Sequence, residues 1–183
     1  MRLQFYKVTD AYINHLKHSE PFDENVKENK NEKRPYVGIV FTINDIYDYF
    51  IPLSSPRPKH LKMKNAADFI KIHGGKYGVL NINNMIPVAE SALISFDIRD
   101  IADVNYKNIL FNQYRYCKDN IAIIKDKAIK LYHKVISNNP ATAHDTRVIQ
   151  RCCNFAVLEQ KMQKFACPPS PRHIKPADEG IGV

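Results

Sequence analysis

The chain has 183 residues, 44% of them hydrophobic and 25% charged, which suits a single domain that buries one core without disulfides or a structural metal. No uninterrupted apolar run is long enough to cross a bilayer, and Met1-Arg2-Leu3-Gln4-Phe5-Tyr6-Lys7 turns polar too early for a signal peptide, so a membrane protein is excluded and a cytoplasmic one expected. The formal charge of +8 directs attention to polyanionic partners, which cationic surfaces attract by counterion release, although charge alone also serves solubility.

Leu3 to Val8 alternates in strand fashion, and Thr9-Asp10 supplies helix N-cap chemistry before Ala11 to Leu16. Lys17 to Arg34 carries five basic and five acidic residues and little apolar content, which predicts a solvated, mobile loop whose basic end is Lys33-Arg34. Tyr36 to Ile43 is β-branched and aromatic, Asn44-Asp45 marks a turn, and Tyr47 to Pro52 resumes the strand pattern, which predicts a hairpin. Phe69 to Ile72 and Tyr77 to Ile82 flank His73-Gly74-Gly75-Lys76, a second hairpin with Gly-Gly supplying positive φ. Met85 to Val88 and Ala92 to Asp97 read as further strands.

The second half changes period. Tyr106 to Lys118 is expected to be helical. Ile121, Ile124, Ala128, Leu131 and Val135 form one helical stripe, and Val148, Cys152, Phe155, Leu158, Met162 and Phe165 form another. Strands first and helices later predict an α+β fold, an antiparallel sheet packed by helices. From Cys167 onward prolines and glycines dominate, so 167–183 is expected to be a disordered tail behind a single domain over 1–166. Cys117, Cys152, Cys153 and Cys167 include no C-x-x-C pair, and neither a metal site nor a cofactor is expected.

Between Ser54 and Lys76 six cations, Arg57, Lys59, Lys62, Lys64, Lys71 and Lys76, face Asp68 alone, so most of the net charge is local. Pro52-Leu53-Ser54-Ser55-Pro56-Arg57-Pro58-Lys59-His60 opens this stretch and sets two hydroxyls, two cations and an imidazole directly after a strand. Residue types alone leave open a proline-stiffened surface loop or a polyproline-type ligand segment.

Tyr36-Val37-Gly38-Ile39-Val40, Pro52-Leu53-Ser54-Ser55-Pro56, Lys59-His60, Lys76-Tyr77-Gly78, Asn84-Met85-Ile86-Pro87-Val88 and Cys153-Asn154-Phe155-Ala156-Val157-Leu158-Glu159 stand in an order and spacing that resembles the ToxN/AbiQ family of type III toxins, from about Leu3 to Phe165. The resemblance implies a compact, strongly twisted antiparallel sheet with surrounding helices, similar in shape to the MazF and Kid ribonuclease toxins. It also implies metal-independent RNA cleavage that leaves a 2′,3′-cyclic phosphate, a folded repeat RNA as antitoxin in a closed protein–RNA assembly, cellular or phage RNA as substrate, and phage defence by growth arrest.

Such cleavage needs a base for the 2′-hydroxyl, an acid for the leaving 5′-oxygen, and cations for the charge that builds on phosphorus. The family's Pro-Leu-(Thr/Ser)-Ser-Pro-Lys motif maps onto Ser54, Ser55 and Arg57. Arginine clamps a phosphate but exchanges protons poorly, which leaves Lys59 or His60 for proton transfer. The family's helical tyrosine and its basic residue before the Gly-Ile-Val strand fall at Tyr12 and Arg34. Lys33, Lys62, Lys64 and Lys76 are candidate phosphate contacts, and Tyr114 and Arg115 are candidates for base stacking and phosphate contact.

Glu28-Asn29-Lys30 and Glu159-Gln160-Lys161 match the E-x-K fragment of metal-dependent nucleases without its strand context, and Gly74-Gly75-Lys76 lacks the rest of a P-loop. Two readings remain, an RNA-cleaving toxin and a non-catalytic RNA-binding protein that uses the same basic face.

Overall fold

The computed structural model describes residues 3–29, 31, 33–64 and 66–165. Strand β1 (Phe5–Val8) leads into helix α1 (Asp10–His18), whose N-cap Thr9 accepts the Tyr12 amide on its side chain. Strands β2 (Tyr36–Ile43) and β3 (Tyr47–Ser54) form the expected hairpin. Asn44 and Asp45 both take positive φ, 51° and 55°, the handedness that matches strand twist in a tight hairpin. The second expected hairpin is β4 (Ile70–Lys71) with β5 (Val79–Leu80), and Gly74 and Gly75 in its turn have φ of 68° and 98°. Short strands β6 (Ile86–Pro87) and β7 (Leu93–Ser95) follow.

All pairings are antiparallel, in the order β4-β5-β3-β2-β1-β7, with β6 also beside β3. β3 changes partner along its length. Tyr49 and Phe50 face Pro87 and Ile86 of β6, whereas Leu53 and Ser54 face Leu80 and Val79 of β5. Its middle is buried from Tyr49 to Leu53, so this strand is the spine of the core and its last residue, Ser54, emerges at the edge of that core.

Helix α2 (Pro58–Lys62) interrupts what the sequence suggests is an open basic stretch. Pro58 stands where its missing N–H costs nothing, and Lys71 Nζ donates to the carbonyls of Leu61 and Met63, both at 3.0 Å. Helices α3 (Val104–Asp119) and α4 (Ile121–Ser137) appear as the periodicity predicts.

The stripe from Val148 to Phe165 belongs to two helices rather than one, α5 (Ala143–Gln150) and α6 (Phe155–Lys164). Between them the Cys153 amide donates to Asn83 O at 2.9 Å and the Asn154 amide to Asp23 Oδ2 at 2.8 Å, bonds that draw the backbone out of helical register. Asn154 then caps α6 through its side chain. The stripe still reaches the core, because Val148, Cys152, Phe155 and Leu158 are all buried.

The α4 and α6 helices meet the sheet through an aromatic cluster. Phe41 stacks on Tyr49 at 4.9 Å, Tyr132 on Phe155 at 5.8 Å, and the Tyr49 and Tyr132 hydroxyls donate to Glu159 Oε1 at 2.8 and 2.9 Å. Each ring buried here contributes on the order of 1.5–3 kcal/mol, and the shared carboxylate satisfies two hydroxyls that burial would otherwise penalise.

The expectation of a solvated loop over Lys17 to Arg34 is corrected. Lys17 and His18 close α1, and Asp23, Val26 and Asn29 are buried. Asn25 donates to the carbonyls of Gln150 and Cys152, so polar residues that read as solvent-facing instead satisfy backbone groups of the α5–α6 junction. Among the described residues no helix is long and apolar enough to cross a membrane. The predicted tail, 167–183, lies outside the described residues.

Candidate active site

Three separated segments meet at one cleft. Lys33, Arg34 and Pro35 come from the approach to β2, Leu53, Ser54, Ser55 and Arg57 from the end of β3, and Tyr106 from the first turn of α3. The Leu53 amide donates to Pro35 O at 2.9 Å and so clips the first two segments together. Arg34 Nε donates to Glu28 O at 3.0 Å, which steadies its guanidinium. The described lining holds three cations, two serine hydroxyls and a phenol, with no carboxylate. That inventory suits a phosphodiester, whose negative oxygens need donors and positive charge.

The end of β3 is held from below. Asn81 Nδ2 donates to Ser54 Oγ at 2.7 Å, and Gln113, buried on α3, donates to Tyr77 O at 2.7 Å and to Ser54 O at 3.4 Å. Gly78 has φ of 92°, and a Cβ there would lie 1.9 Å from Ser54 O. Only glycine lets the two backbones approach so closely. Arg57 is extended, at φ −141° and ψ 150°, as a residue before proline prefers, and it lies exposed at the cleft.

The other expected residues are distributed differently. Lys59 is exposed on α2 and does not line the cleft. His60, one residue on, is only 3% exposed, and its Nδ1 is buried without a hydrogen-bond partner among the described residues. Burial first, then the charges of Lys59 and Arg57, hold its pKa below the usual imidazole value. His60 is buried and does not line the cleft, which argues against direct proton transfer by its ring.

Tyr12 is also corrected as an RNA contact. It is fully buried, its hydroxyl donates to Pro87 O at 2.7 Å, and its ring meets Phe165 edge-on at 4.8 Å. Tyr114 is half-buried, edge-on to Phe5, and faces a larger cleft of about 470 Å³ lined also by Phe96, Phe111 and Arg99. That cleft's Asp97 and Arg99 neutralise each other, so the unbalanced positive charge lies at the smaller one. Lys62, Lys64 and Arg115 are exposed, and Lys76 is exposed with its ammonium 5.5 Å from the Tyr77 ring centre.

Sequence reasoning assigned no role to Tyr106, Asn81, Gln113 or Gly78, although Gly78 stands in one of the motifs that carry the resemblance. A lone glycine inside the Tyr77–Ile82 strand pattern is a signal of close backbone approach and was available for Gly78. The other three carry no local signal, because their partners are at least 27 residues away in sequence or are a cleft formed only by folding.

With this geometry in view, the family model described as the toxin ToxN of type III toxin–antitoxin systems matches residues 4–163. The chain is similar to the endoribonuclease ToxN of Bacillus thuringiensis subsp. kurstaki, with 33% identity over 168 residues that cover 88% of this chain and 84% of that one. It is similar in structure to a type III toxin selectively inhibited by a non-coding RNA pseudoknot, with a TM-score of 0.76, 32% identity, and coverage of 90% of this chain and 98% of that one. A further likeness is to AbiQ, a lactococcal anti-phage endoribonuclease, with a TM-score of 0.70 at 30% identity and coverage of 90% and 98%.

Proposed function

Because the chain belongs to the ToxN family of type III toxins, we propose that it is an endoribonuclease toxin, that its antitoxin is a folded repeat RNA, and that it cuts at the cleft formed by Ser54, Ser55 and Arg57. The convergence of those three residues with Lys33 and Arg34 is the observation that carries the reading. The 2′-hydroxyl of the nucleotide on the 5′ side attacks phosphorus, the 5′-oxygen leaves, and the products are a 2′,3′-cyclic phosphate and a 5′-hydroxyl.

Charge accumulates on the non-bridging oxygens as the attack proceeds. Arg34 and Arg57 are fixed cations for that charge, and the serine hydroxyls donate to the same oxygens. Arginine cannot shed a proton, so proton exchange falls to the other lining groups, with Lys33 the leading candidate and Lys59, which does not line the cleft, the second. The reaction calls for no divalent ion, and the hydroxyl, phenol and cationic groups of the cleft are not the oxygen-rich carboxylate set such an ion prefers.

The exposed cations Lys59, Lys62, Lys64 and Lys76 extend the positive surface beyond the cleft and suit a longer RNA. In this reading each repeat RNA touches its own toxin and the next, so protein and RNA alternate in a closed assembly. The toxin acts in the cytoplasm on cellular and phage RNA, arresting growth as phage defence. The residues that the family model matches, 4–163, form one toxin unit.

Incubation with RNA in EDTA tests the chemistry. Wild type should yield cyclic-phosphate ends, a 2′-deoxy substitution 5′ of the cut should abolish cleavage, and Ser55→Ala and Arg57→Ala should cleave on the order of a hundredfold more slowly. RNA binding with no new ends would establish the non-catalytic reading instead, and cleavage of the deoxy-substituted site would rule out attack by the 2′-hydroxyl.

A further inference from the structure

Asn81 follows β5 and reaches across to the end of β3. Its Nδ2 lies 2.7 Å from Ser54 Oγ and 3.4 Å from Pro52 O, and its backbone amide also donates to Pro52 O at 3.1 Å. A carbonyl oxygen can only accept, so the side of the amide that faces Pro52 is its NH₂ side. That orientation decides the neighbouring bond as well. The amide nitrogen has protons to give and takes none, so Ser54 Oγ must be the acceptor.

A hydroxyl that accepts from the protein keeps its own proton for another partner. Among the described residues Ser54 Oγ has no other hydrogen-bond partner, and Ser54 lines the cleft beside Ser55 and Arg57. Without the amide, the hydroxyl rotor would be free to turn its proton away from the cleft or into water.

We infer that Asn81 is a positioning residue for RNA cleavage: it holds Ser54 as a hydrogen-bond donor aimed at the phosphate oxygen that gains charge during the attack. The inference rests on the proposed role of Ser54 in the cleft. It predicts coupling, because a residue that works only through the Ser54 hydroxyl loses its influence when that hydroxyl is removed.

The experiment is a double-mutant cycle in the full chain with Ser54→Ala, Asn81→Leu and both together, read as kcat and KM for an RNA substrate. Ser54→Ala should lower kcat by about tenfold or more, and Asn81→Leu by about tenfold with KM unchanged, the size expected for one hydrogen bond made in the transition state. In the Ser54→Ala background, Asn81→Leu should change kcat by less than about twofold. Asn81→Asp keeps the side-chain shape but offers only acceptor oxygens, so it should capture the Ser54 proton, cleave more slowly than Asn81→Leu, and again lose less in the Ser54→Ala background. It also keeps the cycle measurable if Asn81→Leu fails to fold. Equal losses in both backgrounds would make Asn81 a structural support and overturn the inference while leaving the role of Ser54 intact. Wild-type cleavage by Ser54→Ala would overturn that role itself, and the inference with it.

Discussion

Gly78→Ala places a methyl group against the backbone that carries Ser54. Its Cβ would lie 1.9 Å from Ser54 O and 3.1 Å from the carbonyl carbons of Ser54 and Ser55, all backbone atoms that cannot rotate aside. Ordinary contact requires the chains to part by roughly 1.5 Å. The parting falls on the last pair of the β3–β5 ladder, Ser54 with Val79, so it moves the cleft directly. Misplacement by about 1 Å costs on the order of a hundredfold in rate. The φ of 92° adds strain of about 1–2 kcal/mol for alanine. With the steric term the stability loss should be about 2–4 kcal/mol, which for a domain of this size lowers Tm by about 5–15 °C.

Gly74→Ala is the matched control. Its φ of 68° imposes similar strain, but a Cβ there meets nothing within 4 Å. It should lower Tm by a few degrees and leave cleavage unchanged. Single-turnover cleavage is measured at a temperature where circular dichroism shows both variants fully folded. If folded Gly78→Ala cleaves within about twofold of wild type, or if Gly74→Ala loses as much activity, the close approach of Gly78 to Ser54 does not position the site.

Two further outcomes follow from the charge distribution. His60 has its folded pKa lowered from 6.5, chiefly by burial, so below that pH the unfolded chain binds a proton that the folded chain resists. Its contribution is complete above pH 6.5 and is lost as the pH falls toward the lowered value; His60→Gln should flatten the decline in Tm as the pH falls below about 6.5, and an unchanged slope would show that other groups govern it. With about six phosphates neutralised by Arg34, Arg57, Lys59, Lys62, Lys64 and Lys76, log affinity for single-stranded RNA should fall against log salt with a slope of about −4. Each alanine replacement in that set should reduce the slope by somewhat less than one, and a variant whose slope matches wild type removes that residue from the interface.

The β2–β3 hairpin was legible because its causes are local: alternating β-branched and aromatic residues, and an Asn44-Asp45 turn that tolerates positive φ. The α4 stripe was legible for the same reason, as was the cluster of hydroxyls and cations from Ser54 to Lys59, which resembles a family motif and sits directly after a strand. Burial of lone polar or amphipathic side chains was not legible. Tyr12 reads equally as a contact residue or as core, and its bond to Pro87 O, 75 residues away, settled it as core. His60 follows Lys59 in sequence, yet a short helix turns one side chain outward and the other in. Composition made 17–34 look solvated, whereas Asp23, Asn25 and Asn29 turn inward. Residue types and spacing determined which side chains carry chemistry suited to a phosphodiester. The tertiary structure decided which of them share a cleft and what holds them there, because Lys33, Ser54 and Tyr106 meet only when distant backbone donors and acceptors are satisfied together.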